Sequence, residues 1–465
     1  MTALAPARPA MSRPGAVTAR RLLRLELRRS AAIGILPLLV LALWLDTYRM
    51  SMASFPVWGL RGAVLADRAV SDFAMFCAGA GAWMGSREGR RGAADLVQVT
   101  ARPGWLRRGI TLAATTCWMM AAYVCCVGVL YGVTAGEGAW GSPQWWPVAL
   151  GAAGVTAASA VGFAAGVFWP SRFTAPLAAV GLEVLILVGT SLDNIPYARL
   201  TPGAANLTPD TGSFYPYLPD QAIDQVIFLG GITIAVAGIL GIAAGGGGRL
   251  LRGIAAVATA VGLIAVSTAV GLVGGARQGP EGVIIPGLHS AADDRPVPYS
   301  PACAAYSVPI CVNPAFKAYL PELDSTFGPA FSEVAGLPGE PVRASQISAY
   351  AGGPAGGELL SGSQPVYEFA LQGLGPRGFA GLQQTFLVAF ITGNANNWGT
   401  DAQQAAWLGL LNDTGYHMQE SAAFSPAVIT AAARFAAQPL AARHAWLAAH
   451  LTALRAGHIT LGQLP

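Results

Sequence analysis

Gly109-Ile-Thr-Leu-Ala-Ala-Thr-Thr-Cys-Trp-Met-Met-Ala-Ala-Tyr-Val-Cys-Cys-Val-Gly-Val-Leu-Tyr-Gly-Val-Thr-Ala-Gly136 contains no charged residue, and it is bounded by Arg107-Arg108 on one side and Glu137 on the other. A helix needs about 20 mostly apolar residues to cross the hydrocarbon core of a bilayer, so this run suffices by itself. Further stretches qualify on either side of it. Ala31–Leu45 and Pro147–Trp169 lie in uncharged runs, and Gln225–Gly248 and Gly253–Gly275 carry no charge. Ala69–Ser86 holds only Asp72, close to one end, where the side chain is expected to reach the interface, and Phe173–Ser191 holds only Glu183. The composition agrees: 53% of the 465 residues are hydrophobic and 11% charged, against about 25% charged in a soluble domain. An ordinary soluble enzyme and a disordered chain are both excluded.

Charge placement orders these seven stretches. Lys and Arg concentrate in short cytoplasmic loops. With an inside N-terminus, the inside segments hold 16 arginines, from Arg8–Arg29, Arg87–Arg108, Arg172, Arg249 and Arg252, and the outside loops hold four, Arg49, Arg61, Arg68 and Arg199. The sequence therefore predicts a membrane all-α bundle of seven spans over 31–275 and an extracytoplasmic α+β domain over 276–465. The expected location is the plasma membrane. A basic face of this kind favours anionic lipid as partner and not nucleic acid.

Residues 1–18, rich in Pro, Ala and Arg, read as a disordered cytoplasmic tail. Ala19–Ser30 alternates leucines with Arg20, Arg21, Arg24, Arg28 and Arg29. It is either an amphipathic helix lying on the membrane surface or a charged flank that orients the first span. The connection after the second span, from Arg87 to Pro103, can form a short helix over Arg91–Val99, which Pro103 stops.

This connection resembles the membrane subunits of ABC-2 type ABC transporters. They carry, after the second span, Arg-Glu, then Gly-Thr, an acid, Leu-Leu and Thr-Pro. The resemblance runs through Arg87, Glu88, Gly92, Asp95, Leu96, Thr100 and Pro103, with Arg90 and Arg91 in the same segment; Ala93 stands in place of the Thr. It extends over about residues 19–245 and includes the stretch before span one and the outside loop Asp193–Asp224. It implies that the segment rests on a separate ATP-binding cassette subunit and passes its motion to the spans. A second membrane subunit or a second copy of the chain is a further implied partner. The seventh span and the domain beyond it have no counterpart in the usual six-span permease.

Cofactor chemistry is not expected in this chain. A phosphate-binding loop ends in Gly-Lys-Ser/Thr, and no such stretch occurs; Gly245–Gly248 reads as a turn between spans six and seven. ATP and its Mg2+ ion would belong to the partner. No His pair has zinc-protease spacing, and His417 with Glu420 lacks a visible nucleophile, so neither catalytic residues nor metal ligands are predicted. Glu183, near the centre of span five, either lines a polar conduit or is kept protonated or bonded to a neighbouring helix. Two alternatives stay open: a membrane-anchored sensor or scaffold with an outside ligand-binding domain, and an outside hydrolase on a helical anchor.

In the outside domain, Cys303 and Cys311 flank Ser307-Val308-Pro309, a segment suited to a turn, and a disulfide between them fits an oxidising compartment. Asn313-Pro314 opens a helix through about Ala335 that is expected to break near Gly328-Pro329. Val342–Ser348 and Val366–Leu371 read as strands separated by a Gly/Ser/Pro-rich loop at Gly352–Ser363. Helices are predicted at Pro376–Thr392, Ala402–Leu411, Pro426–Ala437 and Leu440–Ala456. Thr400 and Gln403 have the spacing of a capping box.

Overall fold

The computed structural model describes residues 16–465 apart from 93–103, 193–194, 202–211, 245–247, 280–281, 292–293, 349–356, 361–363, 372–378, 380 and 416–423. Two long helical rods lie in the first part of the described chain. The first joins α2 (Ala32–Leu43) to α3 (Arg49–Ala53) through a π-helical turn at Trp44–Tyr48. The second joins α4 (Trp58–Val64) to α5 (Val70–Gly85) through a π-helical turn at Leu65–Ala69. An amphipathic helix, α1 (Ala16–Arg29), precedes them. It starts three residues inside the stretch expected to be disordered, and between α1 and α2 the axis bends by 54°.

After the short α6 (Arg87–Arg90) come α7 (Gly104–Gly136), α8 (Trp146–Phe168), α9 (Thr174–Thr190), α10 (Asp220–Ala243) and α11 (Arg249–Val273). Helices α7, α8, α10 and α11 are each long and apolar enough to cross a membrane, and the bent pair of α1 and α2 makes five if counted as one span. The chain is thus a multi-pass membrane protein. The other two expected spans are represented by α5 and α9, which occupy the expected positions but are shorter, at 16 and 17 residues. The second rod as a whole, from Trp58 to Gly85, is about 42 Å long at 1.5 Å per residue. Helix α10 begins at Asp220, five residues before the expected start, because Asp220, Gln221 and Asp224 are buried there by neighbouring segments.

Small residues bring the rods together. Gly81 and Gly85 on α5 face Gly162 and Gly166 on α8, each pair spaced four apart. A Cβ added to Gly81 would meet the Ser159 carbonyl oxygen at 2.5 Å, and one on Gly162 would overlap the backbone of Ala78. Such Gly-xxx-Gly faces let two backbones touch in lipid, where no hydrophobic effect drives helix association. Gly231 and Gly238 of α10 meet Gly262, Ala255 and Thr259 of α11 in the same way.

A two-stranded hairpin, β1 (Arg277–Gln278) with β2 (Val283–Ile284), leads into the C-terminal domain. Its five-stranded mixed sheet has the order β3-β4-β5-β7-β6, with strands at Ala302–Ala304, Ile310–Val312, Arg343–Gln346, Gly357–Leu360 (β6) and Val366–Phe369 (β7). The central pairs β4–β5 and β5–β7 are parallel, and the two edges are antiparallel. Helices α12 (Leu320–Ser332), α13 (Leu382–Thr392), α14 (Asp401–Asp413), α15 (Pro426–Ala436) and α16 (Leu440–Arg455) complete it.

Several local expectations change. The helix after Asn313 starts as a 3-10 turn at Pro314–Tyr319 and then runs unbroken through Gly328-Pro329. Pro329 lacks an N–H, but this costs one turn's bond rather than the whole helix when Phe327, Ala330 and Phe331 are buried around it. The Gly/Ser/Pro-rich loop contains β6, whose Glu358-Leu359-Leu360 pairs with β7. The helix expected from Pro376 begins at Leu382; residues 376–378 lie outside the described part. Elsewhere the agreement is close. The Thr400–Gln403 capping box forms in both directions, and Cys303 and Cys311 face each other across β3 and β4 and are joined by a disulfide.

Candidate functional site

The residues singled out between Arg87 and Pro103 divide in two. Asp95, Leu96, Thr100, Pro103 and the expected helix over Arg91–Val99 lie outside the described residues, except for Arg91 and Gly92 at its start. Those two are exposed, and Gly92 takes the left-handed φ of +60° that ends α6. The other three, Arg87, Glu88 and Arg90, are placed by α6 at the end of the bundle away from the C-terminal domain.

Two of them form a clamp. The Arg87 guanidinium donates from Nη2 to both carboxylate oxygens of Glu26 on α1, at 2.8 and 2.9 Å. Glu88, its neighbour in sequence, is held by Arg107 of α7, with Nε–Oε1 at 2.6 Å and Nη2–Oε2 at 3.0 Å. One short helix thereby joins the N-terminal helix to α7. All four side chains are 16–29% exposed, so they are screened less than pairs in open water. Arg90 folds back, its guanidinium 3.8 Å from the centre of the Trp83 ring. The Trp118 indole N–H donates to the Leu27 carbonyl and ties α1 to α7 a second time. Gly89 lies so close to Pro170, after α8, that a Cβ would overlap the proline ring.

Glu183 on α9 is half-buried, and its Oε2 is enclosed with no hydrogen-bond partner among the described residues. The sequence missed its surroundings. Where the two π-helical turns run side by side, Thr47 donates to Asp72 at 2.8 Å and Arg68 approaches Asp46 to 3.4 Å. Asp72, expected to reach the interface, is half-buried and accepts this bond from Thr47. The π turn widens a helix locally and re-aims its side chains, a feature frequent at functional positions. A signal was available: Asp46, Asp67, Arg68 and Asp72 lie within otherwise apolar stretches.

At the opposite end, the C-terminal domain and the membrane part share a core. Phe55, between α3 and α4, is 1% exposed and packs edge-on against Phe316 and Tyr319, with ring centres 4.9 and 4.7 Å away, and against Phe379. Val57 and Leu60 join the same cluster. Behind this plug, buried Arg61 pairs with Glu137 and donates to Thr134 and to the Ser54 carbonyl. Trp140 bonds the backbone of Pro56 and Trp58.

Among the described residues no group of three or more His, Cys, Asp and Glu is placed to hold a metal ion. A groove of about 410 Å³ beside α14 and α15 is lined by Leu408, Asn412, Phe424, Ile429 and alanines, without a nucleophile or a base. His444 bonds the Glu333 carbonyl, and His450 stacks on Trp446; His417 and Glu420 lie outside the described residues. No family model, no curated protein and no solved structure matches the chain.

Proposed function

We propose that the chain is the membrane-spanning subunit of an ABC-2-like transporter, coupled through the region around α6 to a separate ATPase that supplies ATP, Mg2+ and hydrolysis. The observation that carries this is the Glu26–Arg87 and Glu88–Arg107 clamp. It is built on the two residues that open the resemblance, and it joins the segment expected to bear on an ATPase to the N-terminal helix α1 and the membrane helix α7. A push on α6 would therefore reach both.

In this reading the chain crosses the bilayer seven times, with α1 inside and the C-terminal domain outside. Contacts at the two ends support it. Segments expected inside meet one another: α1 with α6, α6 with Pro170, and Gly104 with Ala244. Segments expected outside also meet one another: Val57 with Trp140, Gly212 with Gly59, and Asn313 with Ser213. The outer domain, seated on Phe55, would gate the spans or recognise cargo or a partner.

A membrane-anchored sensor is the second reading, favoured by the same shared core, which would transmit ligand binding outside to α4 and α5. Purifying the full chain from its native membranes in mild detergent separates the two. An accompanying ATPase, lost in the Glu88→Arg variant, supports the transporter; absence of any nucleotide-hydrolysing chain from the intact complex leaves the sensor.

A further inference from the structure

His289 follows the hairpin that leads out of α11, and both of its ring nitrogens face carboxylates. Nδ1 is 3.1 Å from Asp220 Oδ2, in the first turn of α10, and Nε2 is 2.7 Å from Asp294 Oδ1. The same Asp220 oxygen accepts the Ile285 N–H at 3.0 Å. Asp220 is 1% exposed, and Asp294 is 50% exposed. A neutral imidazole has one N–H and one lone pair, so it can serve only one of these two acceptors. The geometry needs a donor at both nitrogens.

We propose that His289 is a proton-operated latch that fastens the segment leading into the C-terminal domain to the mouth of α10. Asp220 from α10 and Asp294 from its own segment are the charged groups within bonding distance of the ring. Burial of the ring opposes charging, but the bond to Asp294 and the charge and bond of Asp220 outweigh it, so the pKa lies above the ordinary 6.5. The latch is closed below that raised value.

Its opening has a direction. When the ring loses its proton, the remaining N–H stays with Asp220, because a buried carboxylate deprived of its donor costs more than one that water can reach. Asp294 is released, and the backbone around His289 loosens with it. A raised histidine pKa adds stability that is complete below about 6.5 and is lost as pH climbs through the folded value.

Hydrogen exchange on the full-length protein in lipid nanodiscs, corrected for intrinsic rates, tests this. Peptides covering 285–297 should lose about tenfold protection between roughly pH 5.5 and 8.5. His289→Gln, which keeps one donor and cannot charge, should show no such change with pH. Asp294→Asn, at a half-exposed position, should move the transition to lower pH. Protection independent of pH in the wild type, or an unchanged profile in both variants, would overturn the latch.

Discussion

Phe55 does more for the whole molecule than its place in a short loop suggests. It is a membrane-part residue whose ring completes the aromatic core of another domain, beside Phe316, Tyr319 and Phe379. Truncating a buried phenylalanine costs about 3–5 kcal/mol. Phe55→Ala should therefore lower the unfolding temperature of the C-terminal domain and speed proteolysis around residues 293–300, with Phe55→Leu intermediate; equal melting of Phe55→Ala and wild type would argue against a shared core. The clamp makes a second claim at this scale. Arg87→Glu sets two carboxylates against each other and should free α1, read as faster proteolysis of the N-terminal helix, and Glu26→Arg in the same chain should restore part of the protection. Neither Phe55 nor Glu26 could be chosen from sequence, because their partners lie over 250 and 61 positions away. Glu26 did leave a trace, as the lone acid within a run of arginines.

Helices were legible where hydrophobic length alone decides them, and α7, α8 and α11 match their expected runs to within five residues at each end. The rods α2–α3 and α4–α5 were harder. Their ends lie in mixed polar sequence, and the π turns that place Asp46 against Arg68 and Thr47 against Asp72 have no composition of their own. The short strands β3, β4 and β6 were missed for a related reason. Three or four residues hold too little alternation to register as a period of two, and pairing with neighbours in the sheet makes them strands. The glycine faces of α5 and α8, by contrast, stand in the sequence as two Gly-xxx-Gly pairs. Gly162→Leu, which would drive a side chain into the Ala78 backbone, should destabilise the bundle by at least about 1–3 kcal/mol. Labelling of Cys77, fully buried on α5, by a thiol-reactive dye should start at lower temperature in that variant; an unchanged labelling curve would mean that α5 and α8 do not pack so closely.

Over the whole molecule, two contact systems lie at opposite ends of about 40 Å of helix. One is charged and built around α6; the other is aromatic and joins Phe55 to the C-terminal domain. The rod α4–α5 runs from the second to the first, so a force applied at either end has a stiff path to the other. The total charge of the chain would not have suggested this. The arginines of the membrane part and the acidic excess from Arg277 onward partly offset each other in the net +4. Only their placement separates the ends. A partner at the α6 end is the central claim, and a photo-crosslinking residue at Arg91, exposed there, tests it in native membranes. A crosslink to a chain bearing a phosphate-binding Gly-Lys-Ser/Thr loop, weakened by Glu88→Arg and absent when the probe replaces exposed Val342 of the C-terminal domain, is the predicted result. A crosslink to such a chain from Val342, or none from Arg91 in membranes that contain the intact complex, would contradict it.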